Sequence, residues 1–209
     1  MGERRGEPGF PDRLTIASRN RGKIREIRSI CAEWPVTWVE AEPPEVAETG
    51  DTYLENALLK ARAAAAAAGV PALADDSGIE VDALGGAPGP RSARFAGPDA
   101  DDDANLRELL RAVAGVPAGG RTARYRAVAA VAWPTGEEAW AEGVCEGVIR
   151  SAPSGSGGFG YDPIFEPAGW DRTMAELAPE EKDRISHRAG ALRELRAALG
   201  VASSNANEY

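Results

Sequence analysis

Residues 74–89 read Ala74-Asp75-Asp76-Ser77-Gly78-Ile79-Glu80-Val81-Asp82-Ala83-Leu84-Gly85-Gly86-Ala87-Pro88-Gly89. The apolar run at 70–74 predicts a short buried strand that stops at Asp75. In open α/β sheets, ligands bind beyond the carboxyl ends of strands. Adjacent carboxylates at such an end suit a hard cation that keeps several waters, such as Mg²⁺. An Asp-rich turn before a glycine- and proline-rich loop is the alternative, because turns favour the same residues.

The composition describes an acidic chain with enough apolar residues to bury a core. The chain has 209 residues, of which 43% are hydrophobic, and a formal net charge of −9. This length predicts one domain or two small lobes. The negative charge argues against general binding to a nucleic-acid backbone. It leaves room for a nucleotide that is bound locally by a few cations or by a metal.

The cysteine content and the lengths of the apolar segments indicate the compartment in which the protein lies. Cys31 and Cys145 are too few for a disulfide framework, which favours a reducing compartment. Residues 1–11 lack the apolar run of a secretory signal. No stretch approaches the ~18 apolar residues of a membrane helix. We therefore expect a cytoplasmic protein with neither membrane nor nucleic-acid partners.

Helices alternate with strands in the first half, and paired strands occupy the middle. Strands are predicted at 14–17, 36–39, 70–74, 124–133 and 138–150. Helices are predicted at 24–34, 52–68, 101–114, 179–184 and 188–199, with a capping box formed by Thr52 and Glu55. This order predicts the α/β class, with a mixed sheet flanked by helices. Residues 1–12 are expected to be a disordered leader, 13–200 a single domain and 201–209 a flexible tail.

Three further polar segments are candidates for ligand binding. Residues 18–23 lie between a strand and a helix, where backbone N–H groups and Lys23 favour an anion, although a plain turn fits equally. Residues 154–163 combine glycines with Phe159 and Tyr161, which could stack on a base, and with Asp162, which could accept from a ring N–H. A flexible linker is the alternative, but linkers seldom contain aromatic residues.

The third segment, 182–188, contains the chain's only histidine. A lone histidine is usually structural or merely exposed. Here, however, Lys182, His187 and Arg188 together offer two cations and an imidazole to a phosphate or to a purine edge.

Four segments in sequence order resemble the inosine/xanthosine triphosphate pyrophosphatases, also called RdgB-like proteins. They are Ser18-Arg19-Asn20-Arg21-Gly22-Lys23, the segment 74–97, the Gly-Gly-Phe-Gly-Tyr-Asp-Pro loop at 157–163, and Ser186-His187-Arg188. The resemblance runs from about residue 14 to 199. It implies an elongated α/β fold with a cleft between two lobes, usually a homodimer. It also implies Mg²⁺-dependent hydrolysis of ITP, dITP and XTP to the monophosphate and pyrophosphate.

The resemblance assigns roles residue by residue. Asp76 matches the proton acceptor and metal ligand, and a glutamate in the preceding loop approaches the metal. Glu45 and Glu48 both fit that position, and Glu48 is preferred because Glu48-Thr49-Gly50 resembles the family's Glu-Thr-Gly. The residues assigned to the substrate are Ser18, Arg19, Asn20, Arg21, Gly22 and Lys23 for the triphosphate, Ser77, and Phe159, Gly160, Tyr161, Asp162, Lys182, His187 and Arg188 for the base.

Two other functions compete with this reading. One is a Maf-like enzyme acting on pyrimidine or modified triphosphates, against which the segments at 74–78 and 186–188 argue. The other is a nucleotide-binding sensor without turnover, against which the intact acidic cluster argues.

Overall fold

A computed structural model describes residues 9–200. The strands are β1 (Arg13–Ile16), β2 (Thr37–Trp38), β3 (Ala72–Val81), β4 (Thr122–Ala132), β5 (Glu138–Ile149) and β6 (Phe165–Pro167). The helices are α1 (Arg21–Ile30), α2 (Tyr53–Ala68), α3 (Asp102–Ala112), α4 (Pro179–Ile185) and α5 (His187–Ala198). The strands form one mixed sheet in the order β2-β1-β3-β4-β5-β6. The predicted α/β class with a mixed sheet is confirmed.

The predicted leader and tail fall largely on residues 1–8 and 201–209, which lie outside the described residues. Of the leader, residues 9–12 are described, and the ring of Phe10 lies 5.3 Å from that of Trp34.

Strand β3 is longer than the sequence predicted. It continues through Asp75 and Asp76 to Val81 because β4 pairs with it antiparallel along its whole length, from Ala72 to Val81. The prediction that the strand stops at Asp75 is therefore wrong. Parallel β1, in contrast, pairs only with residues 72–73 of β3 and ends at Ile16. The strand whose carboxyl end lies next to the two aspartates is therefore β1, not β3.

Two hydrophobic clusters occupy the two ends of the long strands. Ile79, Val81, Tyr125 and Phe165 belong to one of them, together with α3 side chains. The other contains residues of β1, α1 and α5 around Leu73 and Val131. The polar segment 75–78 lies between the two clusters, where lysine and arginine side chains contact its two aspartates.

Local capping fixes where the helices begin. The predicted capping box of α2 is confirmed: Thr52 Oγ1 accepts from Glu55 N at 3.2 Å, and Glu55 Oε2 accepts from Thr52 N at 3.1 Å. The helix ends at Gly69, whose φ of +66° is the left-handed conformation that glycine adopts readily.

No helix among residues 9–200 has the length and apolar character that crossing a membrane requires.

Candidate active site

The two adjacent aspartates of β3 face different partners. Successive side chains of a strand point to opposite faces of the sheet. Asp75 Oδ1 lies 3.1 Å from Lys23 Nζ of α1, and its Oδ2 lies 3.0 Å from Arg188 Nη2 of α5. Asp76 Oδ1 instead accepts from Lys60 Nζ of α2 at 2.6 Å. One dipeptide thus contacts cations from three helices.

These surroundings move the two carboxyl pKa values apart. Burial disfavours the charged form of Asp75, but Arg188 and Lys23 outweigh burial and hold its pKa far below the ordinary value. Burial raises the pKa of Asp76, and the opposing effect of Lys60 does not cancel that rise. A pair of carboxyls with separated pKa values allows an acid–base assignment. Asp75 is a fixed anion, and Asp76 is the better proton acceptor.

The segment between β1 and α1 supplies the next group of side chains. Asn20 caps α1, and its Oδ1 accepts from Lys23 N at 3.0 Å. A cavity with two lysines, here called the lysine cavity, lies beside this turn. It is lined by Ala17, Ser18, Arg19, Asn20, Lys23, Pro43, Pro44, Glu45, Val46, Glu48, Lys60, Asp75 and Ala93. Of the residues predicted to bind a triphosphate, Arg21 is exposed and does not line this cavity.

The structure distinguishes the two candidate glutamates. Glu48 Oε1 accepts from Lys60 Nζ at 2.9 Å, so Lys60 bridges Glu48 and Asp76. Glu45 also lines the lysine cavity, but its side chain is 87% exposed and its partner is Arg19 at 3.3 Å. The preferred candidate, Glu48, is the one beside Asp76.

The pair of Glu48 and Asp76 fits a divalent cation. Among residues 9–200, no cluster of three or more His, Cys, Asp or Glu side chains could hold a metal by itself. Mg²⁺ typically takes only one or two carboxylates and completes its shell with water and substrate phosphates. Asp76 Oδ2 is buried and has no hydrogen-bond partner within the described part of the chain. Such an oxygen is suited to accept a cation together with Glu48.

A second cavity, here called the aromatic cavity, adjoins the first and shares Asn20, Lys23, Glu48 and Ala93 with it. Its other lining residues are Asp76, Ser77, Gly78, Pro90, Ser92, Asp102, Asn105, Tyr125, Phe159, Gly160, Tyr161, Asp162, Lys182, His187 and Arg188. All seven residues predicted for the base, and Ser77, therefore lie around one space.

Backbone and side-chain bonds hold the loop at 157–163 around this cavity. Asp162 Oδ2 accepts from Phe159 N at 2.9 Å and from Lys182 Nζ at 2.5 Å. Tyr161 donates its hydroxyl to Ser92 O at 2.7 Å, and Gly160 N donates to Asp102 Oδ2 at 2.8 Å.

Phe159 packs this loop against the first turn of α1. Its ring centroid lies 5.1 Å from Lys182 Nζ. A Cβ on Gly22 would lie 2.6 Å from Phe159 Cδ1, so only a glycine permits this contact. Gly22 therefore acts by allowing close approach rather than by lining either cavity.

The Ser-His-Arg segment is the beginning of α5. Ser186 Oγ accepts from Ala189 N at 3.2 Å and caps the helix, so that His187 and Arg188 occupy its first turn. The helix comes so close to β5 that a Cβ on Gly143 would lie 2.1 Å from His187 O. This close approach packs the first turn of α5 directly against β5.

Arg188 is bound more completely than the sequence suggested. Its Nε and Nη2 donate to Asp75 at 3.1 and 3.0 Å, its Nη2 also donates to Ser77 Oγ at 3.0 Å, and its Nη1 donates to Glu26. Four of its five N–H groups are therefore bonded within the protein. Arg188 primarily joins α1, β3 and α5.

A sequence model of the Ham1 family matches residues 14–198. The chain belongs to the Ham1 family. This membership confirms the resemblance predicted from the four segments.

Several known proteins are similar to this chain over most of their length. A dITP/XTP pyrophosphatase of Symbiobacterium thermophilum is 55% identical over 182 residues, covering 86% of this chain and 91% of the relative. One of Geobacillus kaustophilus is 50% identical over 186 residues, covering 87% and 91%. The solved structure of a HAM1 protein from Coxiella burnetii superposes with a TM-score of 0.81 at 39% identity, covering 91% of this chain and 99% of that one. The crystal structure of a nucleoside-triphosphatase / dITP/XTP pyrophosphatase from Mycobacterium abscessus superposes with a TM-score of 0.70 at 44% identity, covering 90% of this chain and 100% of that one.

Sequence reasoning missed three residues that this Ham1-family site uses. Lys60 bridges Asp76 and Glu48, Glu26 bridges Lys182 and Arg188, and Tyr125 contacts Asp162. Lys60 had one signal, since it is a cation on an otherwise alanine- and leucine-rich helix. Glu26 and Tyr125 had none, because a glutamate in a helix and an aromatic in a strand are ordinary.

We expect the lone histidine to make the stability of the chain depend on pH. Burial, reinforced by Arg188, lowers the pKa of His187 well below its ordinary value. Because the folded pKa is depressed, the unfolded chain binds the extra proton first, and stability should fall as pH drops below about 6.5. Urea unfolding at pH 7.5 and 5.5 should show this loss, and His187→Gln should reduce it. An equal loss in both proteins would contradict the assignment.

Proposed function

We propose that this chain hydrolyses non-standard purine nucleoside triphosphates, namely ITP, dITP and XTP, to the monophosphate and pyrophosphate. The observation that carries the proposal is the pair of joined cavities. One offers lysines for a polyphosphate, and the other offers aromatic and hydrogen-bonding groups for a base. Asp76 lines the aromatic cavity and bonds Lys60, which lines the lysine cavity. Both relatives are named dITP/XTP pyrophosphatase, which covers two of these three substrates.

In this mechanism the chain's own groups bind the triphosphate and move one proton. Lys23 and Lys60 offset the phosphate charge, and the capped N-terminus of α1 adds backbone donors. Water attacks the α-phosphorus, Asp76 accepts its proton, and pyrophosphate leaves. A divalent cation, which we propose is Mg²⁺, would be held by Asp76 and Glu48 and would neutralise charge developing on the phosphates.

Selection of the base would rest on a donor and an acceptor side by side. Lys182 donates and Asp162 accepts, which complements the 6-oxo group and the N1–H of hypoxanthine or xanthine. Adenine has an amine and an unprotonated N1 at these positions, so it mismatches both. Guanine shares both features with hypoxanthine, so rejecting it requires an unpaired 2-amino group, at a cost of ~1–3 kcal/mol.

A panel of nucleoside triphosphates assayed with Mg²⁺ tests the function. Monophosphate and pyrophosphate from ITP, dITP and XTP, with slow turnover of ATP and GTP, is the expected result. A preference for pyrimidine triphosphates would support a Maf-like enzyme instead. Binding of ITP without product would support a sensor.

Lys23→Ala should weaken binding of ITP by about tenfold or more and leave binding of inosine nearly unchanged, because a lost charge-assisted bond costs ~1.5–3 kcal/mol. The measurement is a binding titration with both ligands in the absence of metal. Arg25→Ala, which removes an exposed cation from the same helix, is the control. Equal losses for the two ligands would place Lys23 away from the phosphates.

We also propose a cytoplasmic homodimer. The support for dimerisation is an exposed apolar pair on one face of β5, with Trp140 49% exposed and Val144 41% exposed. Both cysteines are free and buried, as is common in a reducing compartment. Light scattering should give twice the 21.9 kDa of one chain, and a single-chain mass would contradict the dimer.

A further inference from the structure

One buried tyrosine contacts two walls of the aromatic cavity. Tyr125 lies on β4, paired with Ile79 of β3 and with Cys145 of β5, so it is central in the sheet. It is only 6% exposed and lines the cavity. Its strand neighbours Arg124 and Arg126 point to the opposite face, where they form ion pairs.

The ring of Tyr125 orients His187. The two rings are stacked, with centroids 4.6 Å apart and an interplanar angle of 11°. On another side, Phe165 packs against the tyrosine with centroids 4.6 Å apart at 56°. The buried Nδ1 of His187 makes no hydrogen bond within residues 9–200. The stack on Tyr125 is therefore a principal contact that holds the plane of the imidazole.

The hydroxyl of Tyr125 orients Asp162. It donates to Asp162 Oδ1 at 3.2 Å, while Lys182 and the backbone N of Phe159 donate to Oδ2. Burial raises the pKa of Tyr125 well above its ordinary value, so the hydroxyl keeps its proton and remains a donor. Tyr125 is the only one of these three donors that bonds the Oδ1 oxygen.

We propose that Tyr125 is a positioning residue that sets purine selectivity, with its ring orienting His187 and its hydroxyl orienting Asp162. The inference rests on the proposed function and extends it to a residue outside the four sequence segments. An acceptor held in one orientation binds a purine with an N1–H more tightly than one without it. Once Asp162 can rotate or swing, the difference between hypoxanthine and adenine shrinks.

Two variants separate the two contacts. Tyr125→Phe keeps the ring and removes the hydroxyl, whereas Tyr125→Leu removes both. We expect Tyr125→Phe to reduce the ITP/ATP ratio of kcat/KM by about tenfold, the order expected for one hydrogen bond to a charged group. The loss should appear as a higher KM for ITP, with kcat changed by less than about twofold, because Asp76 and the lysines are untouched. Tyr125→Leu should reduce the ratio further.

Tyr53→Phe is the matched control, because it removes the hydroxyl of another buried tyrosine that does not line the aromatic cavity. Its ITP/ATP ratio should equal that of the wild type. Thermal unfolding of each variant gives the folded fraction, which affects both nucleotides alike.

The possible outcomes separate this inference from the proposed function. If the wild type prefers ITP but Tyr125→Phe and Tyr125→Leu both keep its ratio, the role of Tyr125 is wrong and the function stands. A parallel loss for ITP and ATP would make Tyr125 merely structural. If the wild type hydrolyses no purine triphosphate, the proposed function fails, and this inference fails with it.

Discussion

Asp76→Asn should lower kcat for ITP by at least ~10²-fold, the lower range for losing a general base, while the chain stays folded. Asp76 lines the aromatic cavity and bonds Lys60, which lines the lysine cavity. Burial raises the pKa of its carboxyl group, and its Oδ2 has no hydrogen-bond partner among residues 9–200. Asparagine has nearly the same shape, and its Oδ1 can still accept from Lys60. It cannot take a proton from water, and it is a poorer ligand for a cation.

The measurement is kcat at saturating ITP and Mg²⁺, with urea unfolding to verify that the variant is folded. Asp82→Asn is the matched control, because Asp82 follows the same strand but its side chain is 44% exposed and pairs with Arg124. That variant should keep wild-type kcat. A soluble Asp76→Asn protein with near-normal turnover would remove Asp76 from the chemistry.

Two of the four sequence segments contain residues that determine their own local structure. Asn20 and Ser186 cap the helices they precede, so the residues that follow are placed by the cap. The same holds for the capping box of Thr52 and Glu55. Patterns of a few residues can encode such geometry, since all the partners lie within one helical turn.

What the sequence could not predict depends on partners far away in the chain. Asp76 lies within a strand because it pairs with Val128 of β4, which no local pattern reveals. Polar residues in a strand interior contradict the usual apolar pattern, and here cations from three helices make them tolerable. Arg21 was assigned to the triphosphate by its place in a motif, yet at the helix start it points to solvent.

The contacts of Arg188 give it a structural role that its sequence motif did not predict. The sequence suggested a donor to the 6-oxo group of a purine, and that role stays a prediction for its one remaining N–H. The structure adds an ionic network: Arg188 is 1% exposed and joins Asp75, at 2% exposure, to Glu26, at 8%. Buried charges are tolerated only when they are paired.

Arg188→Ala should therefore lower the free energy of unfolding by about 3–5 kcal/mol at pH 7, because it leaves buried carboxylates with too few cations. Lys23 still contacts Asp75 and Lys182 still contacts Glu26, so the chain should remain folded without denaturant. Urea unfolding measures the change. Arg193→Ala, an exposed site on the same helix, should change stability by less than about 0.5 kcal/mol.

Arg188→Lys separates the charge from the shape of the side chain. Lysine restores a cation but cannot bond Asp75, Glu26 and Ser77 together through a planar fork, so its stability should lie between those of the wild type and Arg188→Ala. If Arg188→Ala were as stable as the wild type, the guanidinium would not be holding the helices and β3 together. Arg188 would then be free to act on the substrate alone, and the ITP/ATP ratio of kcat/KM would be the only quantity that its removal changes.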